Sequence, residues 1–188
     1  ISDEWNSLNI LSTDAATVGN IDLGIINNEN NLISDLKEHK FDIVYLMGQD
    51  NLEFDKKDEF IIYQGSHGDK GAEIADVVLP SPAYTEQNGL YENLEGRVQE
   101  CKKASYPIGD ALEDWKIFNL VMKKLNKTQD LSNFNLLRKE VLNFIPNFSK
   151  LNELPVYKDS LSKKNESEFI SEEISIKELD YFYTNSIS

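Results

Sequence analysis

Three short runs constrain this chain most: "FDIVYLMG" at residues 41–48, "FIIYQG" at 60–65 and "ADVVLP" at 75–80. They are rich in β-branched and aromatic residues and show no polar alternation. A strand with one wet face must alternate, so such runs suit strands buried on both faces of a parallel sheet. Helical spacing flanks them, which points to an α/β, Rossmann-like architecture.

The spacing of Trp5, Leu8, Leu11, Ala15 and Val18 predicts a helix over 3–18, capped by Ser2 or Asp3. Residues 19–31, crowded with asparagines, read as a loop. Leu32, Ile33 and Leu36 predict a short helix over 32–39. "EDWKIFNLVMKKLN" at 113–126 is the clearest helix, with Trp115, Phe118, Val121, Met122 and Leu125 on one face. Glu113 and Asp114 suit its positive start, and Lys123 and Lys124 its negative end. A last helix is expected over 132–148, stopped near Pro146. Residues 150–178 are polar and aperiodic and read as an arm. "ELDYFYTNSIS" at the end restores aromatics and reads as a docking tip. The division expected is an α/β unit over 1–148 and an arm over 149–188.

The chain has 188 residues, 40% of them hydrophobic. That is enough for a core, though a short domain buries proportionately little surface, so a marginal domain or one leaning on a partner is expected. Net charge is −14, concentrated at the front: −9 over residues 1–60 and −2 over 61–149. This excludes nucleic acid as the expected partner, since its binding rests on Lys and Arg neutralising phosphates, and disfavours anionic lipid. No run approaches the ~18 apolar residues of a membrane span, so no direct membrane insertion is expected. The chain opens at Ile1 without Met or a leader, which reads as a processed or trimmed product. A single cysteine, Cys101, makes no internal disulfide, structural zinc site or cysteine-ligated iron–sulfur cluster. The expected place for it is a partly buried or rim position.

Candidate chemistry falls in two loops. "YQGSHGDKGAEIAD" at 63–76 offers Gly65, Gly68 and Gly71 with His67, Asp69 and Glu73. Strand-end glycines can cradle phosphate, but neither G-x-G-x-x-G nor G-x-x-x-x-G-K-[ST] is present. The plainer reading is a loop whose glycines supply positive φ. His67, Asp69 and Glu73 form only a weak metal pattern, and no metal is expected. His39 reads as a surface residue.

The second loop is "LPSPAYTEQNGLYENLEGRVQ" at 79–99. Glu86, Glu92 and Glu95 invite an acid–base reading, yet no histidine lies near them in sequence. Glu95-Gly96-Arg97 reads more simply as a tight turn, with Arg97 forming a bidentate clamp on a carboxylate of its own or a neighbouring chain and Glu86, Asn93 and Arg97 tying the loop to surrounding backbone. No catalytic residue is expected.

The run from 75 to 118 resembles the molybdopterin-dependent oxidoreductase superfamily. There a buried strand leads to a "TE…G…N.EGR.Q" loop, a Pro-Gly turn and a "DW" helix, matched here by Thr85, Glu86, Gly89, Asn93, Glu95, Gly96, Arg97, Gln99, Pro107, Gly109, Asp114 and Trp115. "IIYQGSHGDKGAEIADVVLP" and the terminal "DYFYTNSIS" resemble, more narrowly, the C-terminal portion of the largest iron–sulfur subunit of respiratory complex I. "WNSLNIL" and "DLG" fit the same family.

The resemblance implies a partial Rossmann-like parallel sheet of the molybdopterin oxidoreductase type, with flanking helices and an extended C-terminal arm. It implies an accessory, structural piece of the peripheral arm of mitochondrial complex I on the matrix side, supporting NADH-to-ubiquinone electron transfer. Its partners would be the N-terminal part of the same subunit, which would carry the iron–sulfur clusters, and other peripheral-arm subunits. No cofactor is expected in this chain. Glu86, Asn93, Glu95, Gly96 and Arg97 are read as a vestigial cofactor loop kept for structure. Asn88, Leu90 and Tyr91 depart from the family pattern, and the last two fill space a cofactor would use. Two alternatives stay open: a fragment of an active molybdopterin enzyme whose 79–99 loop contacts the pterin dinucleotide, and a free-standing nucleotide-binding α/β domain.

Overall fold

The computed structural model describes residues 12, 15–26, 31–52, 54–127, 131, 133–145 and 150–155. The three apolar runs form one parallel sheet of β1 (Ile43–Met47), β2 (Phe60–Gly65) and β3 (Val77–Pro80), in the order β1-β2-β3. Ile43 pairs with Phe60, and Ile62 pairs with Val77. Gly48 turns the chain out of β1 at φ 61°, a conformation costly for a side chain, while its N–H still donates to the Gln64 carbonyl at 2.7 Å. Asp76 pins the start of the sheet. Its Oδ2 accepts from the Ile61 N–H at 2.8 Å, and its Oδ1 meets Lys56 Nζ at 2.7 Å.

The parallel sheet meets the expectation, but burial on both faces is met on one face only. Ile61 (0% exposed) and Tyr63 (1%) point into a core with Leu36, Val44 and Leu46, closed by Phe41, Leu52, Phe54, Ala72, Ile74 and Ala75. Helix α2 (Leu32–Lys37) and the single turn α3 (Lys70–Glu73) bring Leu36 and Ala72 to that side. On the opposite face Ile43, Met47 and Phe60 remain 65%, 52% and 45% exposed.

The 79–99 stretch is more ordered than a loop. A 3-10 turn (Tyr84–Glu86) precedes a hairpin of β4 (Gly89–Glu92) and β5 (Val98–Cys101). Val98 lies in a second small core with Ile145, joined by Leu23, Leu90, Val141, Leu142 and Leu151. Leu151 belongs to the expected arm, and the Asn152 N–H donates to the Val98 carbonyl at 2.8 Å, so residues 150–155 pack on the hairpin. The boundary at 148/149, the rest of the arm and the aromatic tip lie outside the described residues.

Helix α4 (Asp114–Lys124) matches its expectation, but its orientation differs. Ile117 is buried, whereas Phe118, Met122 and Leu125 are exposed. Tethers on Glu113 and Asp114 fix the rotation of its first turn, which overrides the apolar stripe. Phe118 instead stacks on Tyr45 with ring centroids 5.5 Å apart, beside the bare sheet face. Helix α5 (Phe134–Phe144) starts at an Asn133 cap whose Oδ1 accepts from Asn135 N–H at 2.8 Å. It stops at an extended Ile145, the residue before Pro146, as proline dictates.

Most of the helix expected over 3–18 lies outside the described residues. Helix α1 (Thr17–Asp22) runs into the segment expected as loop. The reason is tertiary: Gly19 has no side chain, so Glu92 of β4 packs 3.7 Å from where its Cβ would sit.

Candidate functional site

The chemistry-bearing residues meet where the carboxyl ends of the strands face the hairpin and the start of α4. Asp114, the first residue of α4, is the hub. Gln64 Nε2 donates to its Oδ1 at 2.6 Å, Gln87 Nε2 to its Oδ2 at 2.9 Å, and its own N–H donates back to Gln87 Oε1 at 3.3 Å. The Tyr45 hydroxyl donates to Gln64 Oε1, completing a chain from sheet to helix. Burial, and then the charge of Asp114, push the Tyr45 phenol up. Beside the hub, buried Glu113 accepts from Trp115 Nε1 at 2.7 Å and from Lys103 Nζ at 3.1 Å. Burial pushes its carboxyl up, but the bonds from Lys103 and Trp115 outweigh that and hold it below its usual range.

The glycine loop has a different logic from either reading made from sequence. A Cβ on Gly65 would lie 2.5 Å from the Tyr63 hydroxyl, and one on Gly71 would lie 2.8 Å from its ring and 2.6 Å from the Gln49 carbonyl. Neither glycine has positive φ. They make room for the Tyr63 ring, whose hydroxyl has two acceptors for its one proton, Asp50 Oδ2 at 2.8 Å and the His67 carbonyl at 2.5 Å. Asp50 Oδ1 in turn accepts from Gly71 N–H at 3.0 Å. Burial, then Asp50, pushes the Tyr63 phenol far up.

His67 Nδ1 faces Ser66 Oγ at 3.0 Å, and among the described residues no three His, Cys, Asp or Glu side chains gather as metal ligands. His39 is not a free surface residue: it closes α2 at φ 56° and meets the buried Glu59 carboxylate at 2.5 Å. Cys101 is half-buried, with Sγ donating weakly to the Lys102 carbonyl at 3.9 Å.

Of the five loop residues singled out from sequence, Glu86 folds back on its own turn, with Oε2 accepting from Ala83 N–H at 3.1 Å. Asn93 organises the hairpin bend: its Oδ1 accepts from Glu95 N–H and Arg97 N–H, both at 3.0 Å. Gly96 is buried at φ 77°, the left-handed geometry that bend requires. Glu95 itself is exposed, its Oε2 accepting from Asn93 Nδ2 at 3.4 Å. Among the described residues Arg97 clamps no carboxylate of its own chain. Its Nη1 donates to the Asn152 carbonyl at 3.2 Å, which ties the bend to residues 150–155. A bidentate ion pair is made instead by Arg138 of α5, whose Nη2 and Nη1 reach Glu100 at 3.0 and 3.5 Å.

Sequence reasoning missed Gln64, Gln87 and Asp114 as one network. The signal was the amide of Gln64 closing an otherwise apolar strand, which needs a buried partner.

The model of the molybdopterin oxidoreductase family matches residues 1–124. The chain belongs to that family. It is 38% identical over 99% of its length to the NADH-ubiquinone oxidoreductase 75 kDa subunit of Reclinomonas americana, covering 28% of that protein. It is 37% identical over 99% of its length to an NADH-quinone oxidoreductase subunit of Rickettsia bellii, covering 26% of it. To the NADH dehydrogenase [ubiquinone] iron-sulfur protein 1 of Solanum tuberosum it is 36% identical over 81% of its length, covering 20% of that protein. The chain thus spans about a quarter of the length of the curated relatives it matches.

The family name implies a molybdopterin. The polar side chains that the strand ends would offer it, those of Gln64, Gln87, Asn93 and Asp114, are engaged with one another and with backbone. The space beside Gly65 and Gly71 is filled by Tyr63. These residues do not fit that group.

Proposed function

We propose that this chain is a structural part of the peripheral arm of respiratory complex I, on the matrix side of the mitochondrial inner membrane. Near full-length identity of 36–38% to proteins named as NADH-ubiquinone and NADH-quinone oxidoreductase subunits carries the reading. In it, the chain holds no redox centre. It supports the polypeptide that bears the iron–sulfur clusters between NADH and quinone, the N-terminal part of the same subunit.

Two observations support a scaffold. The 79–99 segment is organised by its own hydrogen bonds, with Glu86, Asn93, Gly96 and Arg97 shaping turns. The sheet also leaves Ile43, Met47 and Phe60 bare on one face, beside the exposed Phe118, Met122 and Leu125 of α4. A parallel sheet is covered on both faces in a complete domain. About three-quarters of the relatives' length lies outside this chain, and that polypeptide supplies the cover. Among the described residues no helix is long and apolar enough to cross a membrane, in keeping with a peripheral position.

The test is native purification through a C-terminal tag, with NADH oxidation stained in a native gel. Co-migration with a large NADH-oxidising, iron–sulfur-rich assembly supports the proposal. A small complex without that activity overturns it, and stoichiometric molybdenum and pterin in such a complex would favour an active molybdopterin enzyme. Arg97→Ala should reduce the amount of assembled complex while leaving the electron paramagnetic signals of its clusters unchanged. Normal assembly with lost electron transfer would contradict the scaffold role.

A further inference from the structure

Helix α1 rests on the hairpin through a pair of carboxyl groups. Glu92 of β4 is 7% exposed, yet neither of its carboxyl oxygens has a hydrogen-bond partner among the described residues, and Asp22 Oδ2 on α1 has none. Gly19 and Asp22 lie three residues apart on one face of α1, and a Cβ on Gly19 would sit 3.8 Å from Glu92 Oε2, so Asp22 is on the side of the helix that faces Glu92. Two ionised carboxylates can only accept, so the one hydrogen bond open to this pair requires a proton held between them. A metal ion fits poorly, because calcium and magnesium want about six oxygen ligands and only two side chains converge here. Among the described residues, the other charges on this side are Glu100 of β5 and Arg138 of α5, and they are paired with each other.

We propose that the Asp22–Glu92 pair is a proton-operated latch that seats α1 on the hairpin when one proton is shared and loosens it when both groups are ionised. The helix depends on this contact more than most, since none of its own residues is buried. Leu23, at its end, packs in the second core, so release of α1 withdraws Leu23 from Val98 and Ile145.

The sign follows from burial, then from the charge of Asp22, which together push the Glu92 carboxyl up to about 7. With α1 released, Glu92 returns to its ordinary range near 4.5. The seated form therefore holds a proton that the released form has lost, and seating weakens as pH rises from that range to about 7. Above about 7 both forms are ionised and the dependence levels off. One proton links to about a tenfold change per pH unit inside the window.

Peptide-resolved hydrogen exchange on the full chain, in the assembly with which it purifies, tests this. After correction for intrinsic exchange, the opening of α1 should rise about tenfold per unit between about pH 5 and 7 and then flatten. Glu92→Gln supplies an amide donor to Asp22 without a titrating proton and should make α1 protection independent of pH. Asp22→Asn, at a less buried position, removes the like charge and offers ionised Glu92 a donor, so it should weaken the pH dependence while the burial of Glu92 keeps part of it; it serves if the first variant fails to fold. Flat protection in the unmodified chain, or an unchanged pH dependence in either variant that folds, overturns the latch.

Discussion

If Gly65 is a glycine because of Tyr63, alanine there should be harmful only while the tyrosine ring is present. A Cβ at Gly65 would approach the Tyr63 hydroxyl, Cζ and Cε1 at 2.5, 2.7 and 2.8 Å. The ring is buried and its hydroxyl is tied to Asp50 and the His67 carbonyl, so it cannot swing aside. Gly65→Ala should therefore cost about 3 kcal/mol, the upper end of the overpacking range. Tyr63→Leu removes all three clashing atoms. In that background alanine should become neutral or stabilise by roughly 0.5 kcal/mol, because glycine is the poorer residue inside a strand and φ at 65 is not left-handed. The coupling between the two changes is then about 3.5 kcal/mol, well above the few tenths expected of independent sites. Urea denaturation of the four variants of the full chain, followed by circular dichroism, would measure it. An equal alanine penalty in both backgrounds would refute the reasoning and point to something other than the ring, such as a ligand, occupying that space.

Asp114→Ala removes the acceptor of two amides, one on buried Gln64, and should destabilise the chain by roughly 2–4 kcal/mol, read as a lowered urea midpoint. Glu59 is held down to about 2 by the Lys57 N–H first, with a smaller contribution from His39. Its folded value is depressed, so its contribution is present above about pH 4.5 and lost as pH falls toward 2. Glu59→Gln should flatten that stretch of the acid-denaturation curve; an unchanged acid limb would sink the claim.

The sheet was legible because it is a matter of local pattern: three unbroken apolar runs, each closed by Gly or Pro, are all strands. The existence of α2, α4 and α5 was legible for the same reason, but rotation was not. Which face of α4 turns inward is decided by Lys103, Gln64 and Gln87, up to 50 residues away in the chain, and no periodicity records that. The glycines of the 65–71 loop misled because glycine signals missing bulk as well as positive φ, and only the fold shows that a tyrosine two residues earlier fills the gap. At the loop, Gly96 was legible as a turn former, and Asn93 and Arg97 as ties to the surrounding backbone. The expectation of a carboxylate for Arg97 came from charge pairs being visible in sequence, whereas the particular carbonyl its side chain reaches, 55 residues on, is not. Glu92 looked like any loop glutamate until helix α1 was found packed above it.

The outer edge of β1 has no neighbour strand among the described residues, and the face beside it is apolar. Such an edge is a template for any extended backbone, and this strand carries none of the lysines or prolines that usually blunt one. In a cell the consequence is one of stoichiometry. In the assembly proposed above, a copy made in excess of the polypeptide that covers it would pair with other copies or be degraded, so its working abundance would follow its partner's.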